Sequence, residues 1–168
     1  VSRNVVGWLP GSVRPEETIL FSAHWDHLGT DPDLAGDQIY NGAADNATGV
    51  AALLEQARVA AAAPRAPRSL VFAAFTAEET GLHGSRHFAG SGPFEPATMV
   101  AVLNTDRMNY LGPARDVQVR GYGASELDDY LRAAAAAQGR ILVPEPFPER
   151  GLYYRSDHFS FARHGVPG

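Results

Sequence analysis

The chain has 168 residues, 45% of them apolar and 20% charged, with a formal net charge of −5. That length supports one domain with a hydrophobic core, and the acidic balance without a Lys/Arg cluster argues against nucleic acid as a partner. Cysteine is absent, which removes disulfides and thiolate metal sites, and no apolar run approaches the roughly 20 residues of a membrane span.

Residues 4–9 read as a strand. The chain begins inside it without a signal peptide and stops abruptly after Gly165-Val-Pro-Gly168, so a domain taken from a longer precursor is expected. Residues 17–23, ETILFSA, read as a strand that becomes buried, and the Gly-, Pro- and Asp-rich stretch 24–41 as a loop. From Asp45 the pattern turns helical, with Val50, Leu53, Leu54, Ala57 and Val59 near a 3.6-residue period. The AAAPRAPR segment ends that helix, because proline cannot continue it.

A strand over 69–75 and a short helix over 81–88 come next. Residues 98–104, TMVAVLN, form a near-continuous apolar strand of the kind covered on both faces in α/β sheets. Residues 116–120 alternate as a further strand does. Residues 125–138 read as a helix with Ser125 as N-cap and Leu127 and Leu131 at i, i+4. Pro144, Pro146 and Pro148 mark a loop, and residues 157–164 a short helix ending at Gly165. The alternation predicts a three-layer α/β/α domain with a mostly parallel mixed central sheet.

Three of the apolar strands share one property: each runs directly into a potential metal ligand. The first ends in His24-Trp25-Asp26, the second is followed by Glu78-Glu79 and the third by Asp106. Asp45 opens the first long helix and His158 the last. Taken singly, these residues read as helix caps or solvated side chains, and only their joint placement at strand ends and helix starts points to a site. Two histidines with carboxylates and no cysteine suit zinc or another borderline divalent ion. Five ligands exceed one catalytic zinc, so two metals sharing a bridging carboxylate fit the count, with one glutamate of the pair left as a base. His83, His87 and His164 lack this context. His27 lies nearer but needs a different direction from His24.

The motifs SAHWDHLG, NGAADNATGVAALLE, FTAEETGLHGS, NTDRMN and YYRSDHFSFARHGVP, in that order, resemble the M28 family of zinc aminopeptidases over nearly the whole chain. The resemblance implies a zinc-exopeptidase-like fold and one metallopeptidase catalytic domain, residues 1–168, without the N- and C-terminal parts of the native chain. It implies two Zn2+, or other divalent ions, with His24 and Asp106 on one, Glu79 and His158 on the other, and Asp45 bridging. It makes Glu78 the general base and Asp26 the acid that orients the His24 imidazole. Implied substrates are peptides with a free N-terminus, and the implied location is secreted or periplasmic. Tyr153 or Tyr154 either donates a hydrogen bond to the oxyanion or packs on the pocket wall. Nothing in the sequence sets the oligomeric state.

Two departures from the family pattern stand out. Arg107 follows Asp106 where an apolar residue is usual, and the chain stops at Gly168 where the family continues with another strand. The second departure predicts an exposed sheet edge and a poorly anchored His158 segment. The alternatives are a single-zinc glutaminyl cyclase, an M20-type carboxypeptidase or deacylase, and a non-catalytic domain on the same fold. The complete ligand set argues against the first and third, and the DNATG and RSDHFSF segments favour M28 over M20.

Overall fold

The computed structural model describes residues 1–168. Strands β1 (Val5–Leu9) and β2 (Arg14–His24) open the chain, followed by a hairpin of two-residue strands, β3 (Gly29–Thr30) and β4 (Ile39–Tyr40). Helix α1 (Thr48–Ala62) leads to β5 (Arg68–Phe75), and α2 (His83–Ser91) leads to β6 (Met99–Asn104). Strand β7 (Asp116–Val119), helix α3 (Leu127–Ala137) and strand β8 (Ile141–Pro144) precede the short α4 (His158–Ala162). No helix is long and apolar enough to cross a membrane.

The main sheet has the order β1-β5-β2-β6. β2 pairs in parallel with both β5 and β6, while β1 lies antiparallel to β5 at one edge. Alternation along β5 sends its side chains to two cores. Val71, Ala73 and Phe75 join Leu20, Phe88, Ala89, Met99, Val102, Phe161 and Val166, under α2 and α4. Phe72 joins Ala23 and Leu53 under α1. Both faces of the central strands are therefore covered, which is why they read as continuous apolar runs rather than alternating ones.

Several local expectations are corrected. The 24–41 stretch contains the β3–β4 pairing, too short for any hydrophobic period to reveal it. Asp45 is not helical but extended (φ −116°, ψ 94°), and the regular helix starts three residues later. Residues 141–144 pair in parallel with β7, and Pro144 is tolerated there because β8 is an edge strand of this two-stranded sheet. Ser125 gives α3 no side-chain cap; instead its carbonyl accepts the Asp128 N–H at 3.4 Å. The last residues are tied down: Val166 is buried, and the Pro167 carbonyl accepts the Val102 N–H at 2.8 Å along the outer side of β6.

The core on the α2/α4 side is aromatic. Phe161, fully buried, has its ring centroid 5.9 Å from that of Phe75 and 6.1 Å from that of Phe88. α4 is only five residues long, so this one ring supplies much of what fixes it to the sheet. Phe161→Ala is expected to lower the unfolding free energy by about 3–5 kcal/mol, the usual cost of emptying a phenylalanine site. Urea denaturation checks this, and a loss below about 1 kcal/mol would mean that α4 is anchored by other contacts.

Candidate metal centre

β2 ends at His24, whose imidazole is almost completely buried. Its Nε2 lies 3.1 Å from Asp45 Oδ1 and 3.4 Å from Asp106 Oδ1. Its Nδ1 lies 3.1 Å from the Asp26 backbone carbonyl and 3.9 Å from the Asp26 carboxylate. The main-chain carbonyl, not the carboxylate expected from the sequence, is thus within hydrogen-bond distance of the ring. The Asp26 carboxylate instead accepts the Glu78 N–H at 3.1 Å, joining the end of β2 to the turn after β5.

Asp106 follows β6. Its second oxygen accepts the Ser156 hydroxyl at 2.8 Å. Behind it runs a polar chain in which Asn104 donates to Ser156 Oγ at 2.9 Å and Ser22 donates to Asn104 Oδ1 at 2.7 Å. These contacts link β2, β6 and the segment before α4 into one support for the carboxylate.

Glu78 and Glu79 occupy the turn after β5, which closes when the Gly81 and Leu82 amides both donate to the Glu78 carbonyl at 2.9 Å. Glu78 is buried, whereas Glu79 is partly open and sits 2.5 Å from His27 Nδ1. His27, rather than the His158 expected from the family resemblance, is therefore the imidazole against Glu79. Its ring also packs edge-on to Tyr40 of the β3–β4 hairpin, with centroids 6.3 Å apart. A metal-capable geometry, with ligand atoms within 4.8 Å of one another, is reached by His24, Asp45 and Asp106, by His24, Glu78 and Glu79, and by His27, Asp45 and Glu79.

His158 stands outside these three groups. It is buried, with a Nε2 that has no hydrogen-bond partner, and the Tyr153 ring lies 4.7 Å away in an edge-on contact. Tyr153 packs so closely on Gly121 that a Cβ there would meet the ring at 2.5 Å. Tyr154 is exposed and packs edge-on against Phe159. Arg107 is well exposed, and its Nε is 3.9 Å from Asp45 Oδ2.

The structure therefore sets an N/O donor cluster at the C-terminal ends of parallel strands in a three-layer α/β fold. The sequence profile of Peptidase family M28 matches residues 4–168, and the chain belongs to that family. It is 37% identical over 105 residues to a probable zinc metalloprotease of Leptosphaeria maculans, covering 61% of this chain and 23% of that one. Among solved structures it is similar to an aminopeptidase from Aneurinibacillus sp. strain AM-1, at 27% identity and a TM-score of 0.72, covering 98% of this chain and 37% of that one. The fold is also shared with an Acidobacteriales bacterium glutaminyl cyclase, at 23% identity and a TM-score of 0.70, over 98% of this chain and 56% of that one. The chain thus spans under a quarter of that curated relative and just over a third of the aminopeptidase.

The crowding of carboxylates dominates the electrostatics. Burial disfavours a charged His24, but the hydrogen bond and charge of Asp106, with the charge of Glu78, outweigh it and raise its pKa to about 9. Burial, reinforced by the charges of Asp157, Asp106 and Glu79, lifts Glu78 to about 8 against the opposing charge of His24. The partial burial of Asp106 acts to raise it, yet its hydrogen bonds from His24 and Ser156 hold it below the usual carboxylate value. Burial raises Asp157 to about 6 and, with the charge of Arg120, lowers His158 to about 4.

These shifts fix the sign of a pH dependence in the metal-free protein. A folded pKa of about 9 for His24, against 6.5 when unfolded, gives stability that is full below 6.5 and lost as pH rises through 9. Glu78, raised from 4.5 to about 8, likewise loses stability as pH rises between those values. His158 acts in the opposite sense, but only between about 4 and 6.5. In the presence of a chelator, the melting temperature is expected to fall from pH 6.5 to 9, and to fall less in His24→Gln. A melting temperature that rises across that window would contradict the assigned charges.

Proposed function

We propose that this chain is the catalytic core of a di-zinc aminopeptidase that hydrolyses the N-terminal bond of peptides. The observation that carries the reading is the convergence of His24 Nε2 on Asp45 and Asp106, at 3.1 and 3.4 Å, where three parallel strands end. The donor set fits a borderline divalent ion, since it offers imidazole nitrogen and carboxylate oxygen without thiolate. The buried, unpartnered Nε2 of His158 fits as well, because such an atom is costly unless it meets a cation or donor.

In this reading His24 and Asp106 would hold one ion, Glu79 and His158 the other, and Asp45 would be shared between them. The bound ions would supply Lewis acidity towards the scissile carbonyl and activation of water. Glu78 takes the proton of the attacking water and delivers it to the leaving amine. Without metal, burial keeps Glu78 protonated to about pH 8; cations bound beside it would lower that value and free the carboxylate to accept a proton, while burial leaves it a stronger base than an exposed carboxylate. The Asp26 carboxylate fixes the Glu78 backbone, and the Asp26 carbonyl steadies the His24 ring. Tyr153, against His158, forms part of the wall of the second position.

A single-ion centre is the second reading. It is favoured by the place of His158 outside the clusters whose ligand atoms lie within 4.8 Å, and by the pairing of Glu79 with His27.

Glu78→Gln is expected to keep the metal content and lower kcat on aminoacyl arylamides by about 10²–10⁴-fold, the usual effect of losing a general base. Loss of metal in that variant would mean that the two glutamates have exchanged roles; unchanged turnover would remove Glu78 as the base. His158→Ala is expected to lower the zinc content from two ions per chain to one, as read by elemental analysis. One ion in both proteins would select the single-ion reading.

A further inference from the structure

Asn46 follows Asp45 directly and is 2% exposed. Its side-chain oxygen accepts two backbone amides, Gly49 N–H at 3.0 Å and Arg107 N–H at 3.2 Å. Its side-chain nitrogen donates to the Thr105 carbonyl at 3.0 Å. One amide thus grips the main chain on both sides of Asp106 while capping the first turn of α1. Gly49 is one of the helix-start amides with no partner inside the helix, so the bond also satisfies a donor that would otherwise be stranded.

The helix start packs tightly around the Asn46 side chain. A Cβ on Gly49 would stand 2.2 Å from Asn46 Oδ1 and 2.6 Å from the Thr105 carbonyl, so the helix start is closed around the amide. Arg107 is in the left-handed region (φ 54°), a conformation that is unfavourable for arginine and that its bonded N–H helps to hold. A second link lies beside the first, where Thr48 Oγ1 accepts the Met108 N–H at 3.0 Å. Asp45 and Asp106 come from distant parts of the chain and are joined by no regular secondary structure. The bonds from Asn46 are what tie the residue after Asp45 to the residues flanking Asp106.

We infer that Asn46 is a positioning residue that sets the separation of the Asp45 and Asp106 carboxylates around His24, and so the geometry of the first ion's site. The inference rests on the metal-binding reading above. Asn46 touches neither ion nor substrate in this role. Its effect passes through the backbone of the two ligand-bearing loops, as groups around a metal site commonly act.

The test compares Asn46→Ala with Leu53→Ala. Leu53 is a buried α1 residue in the core under that helix and outside the site, so its variant loses stability without loosening the two loops. Zinc affinity is measured by competition with a chromophoric chelator, and the amide exchange of Arg107 is followed in metal-free protein. Asn46→Ala is expected to bind about 10–100-fold more weakly, as found for lost outer-shell partners, and to exchange the Arg107 amide faster. Leu53→Ala is expected to match the wild-type protein in both. Should Asn46→Ala not fold, Asn46→Asp decides. It keeps the volume and both acceptor bonds but sets an oxygen against the Thr105 carbonyl, and the visible bands of its Co2+ form are expected to change in intensity. Wild-type affinity in Asn46→Ala, equal weakening in Leu53→Ala, or an unchanged Co2+ spectrum in Asn46→Asp would each overturn the inference. If the wild-type chain bound no ion at all, the metal reading itself would fall, and the inference with it.

Discussion

The arrangement turns on one buried imidazole among carboxylates. Asp26, Asp45, Glu78, Glu79 and Asp106 gather at one end of the sheet, Asp157 lies buried behind them, and His24 stands in their midst. Like charges in a poorly solvated space repel strongly and are tolerated only where a cation or a proton offsets them. The opposite shifts of Asp106 and Glu78 express that compromise: one carboxyl stays ionised against His24, while the other holds its proton to about pH 8. A divalent cation at this place relieves the same repulsion more fully than a single imidazolium can, which is why the cluster is better read as a ligand set than as a buried salt bridge.

Topology makes that crowding possible. β2 lies between β5 and β6, so the chain passes from β2 to its neighbour on one side and then returns to the other. α1 covers one face on the first crossover, and α2 belongs to the core of the opposite face on the second. Beside β2 the strand order reverses, and at such switch points the loops diverge and leave a crevice at the carboxyl ends. His24, the Glu78-Glu79 pair and Asp106 leave the three strands at that spot. The side-chain network from Ser22 through Asn104 and Ser156 to Asp106 then converts a coarse topological meeting into fixed distances.

Much of this was legible because buried parallel strands write themselves as unbroken apolar runs. ETILFSA, SLVFAAF and TMVAVLN needed no partner to be recognised, and the polar residue at the end of each was conspicuous for that reason. What the sequence hid depends on contacts over long separations. Asp45 looked like the start of a helix because the apolar period begins there, yet the cap is the next residue, Asn46, whose three bonds reach residues 49, 105 and 107. His27 pairs with Glu79 across 52 positions, a contact that no local pattern announces. Strands of two residues such as β3 and β4 are shorter than any period that could mark them. Ser125 satisfied the compositional rule for a cap, but the chain turns there in a way that offers its carbonyl instead of its hydroxyl.

Anomalous diffraction at the zinc edge, from crystals grown with zinc at neutral pH, shows whether these carboxylates hold metal. Two peaks are expected, on either side of the Asp45 carboxylate. One should have His24 Nε2 and an Asp106 oxygen at about 2.0–2.2 Å, and the other Glu79 and His158 at similar distances. A peak bound by other residues, or an ordered His24–Asp45–Asp106 cluster without zinc in crystals saturated with it, would contradict the claim that these carboxylates are gathered to hold metal.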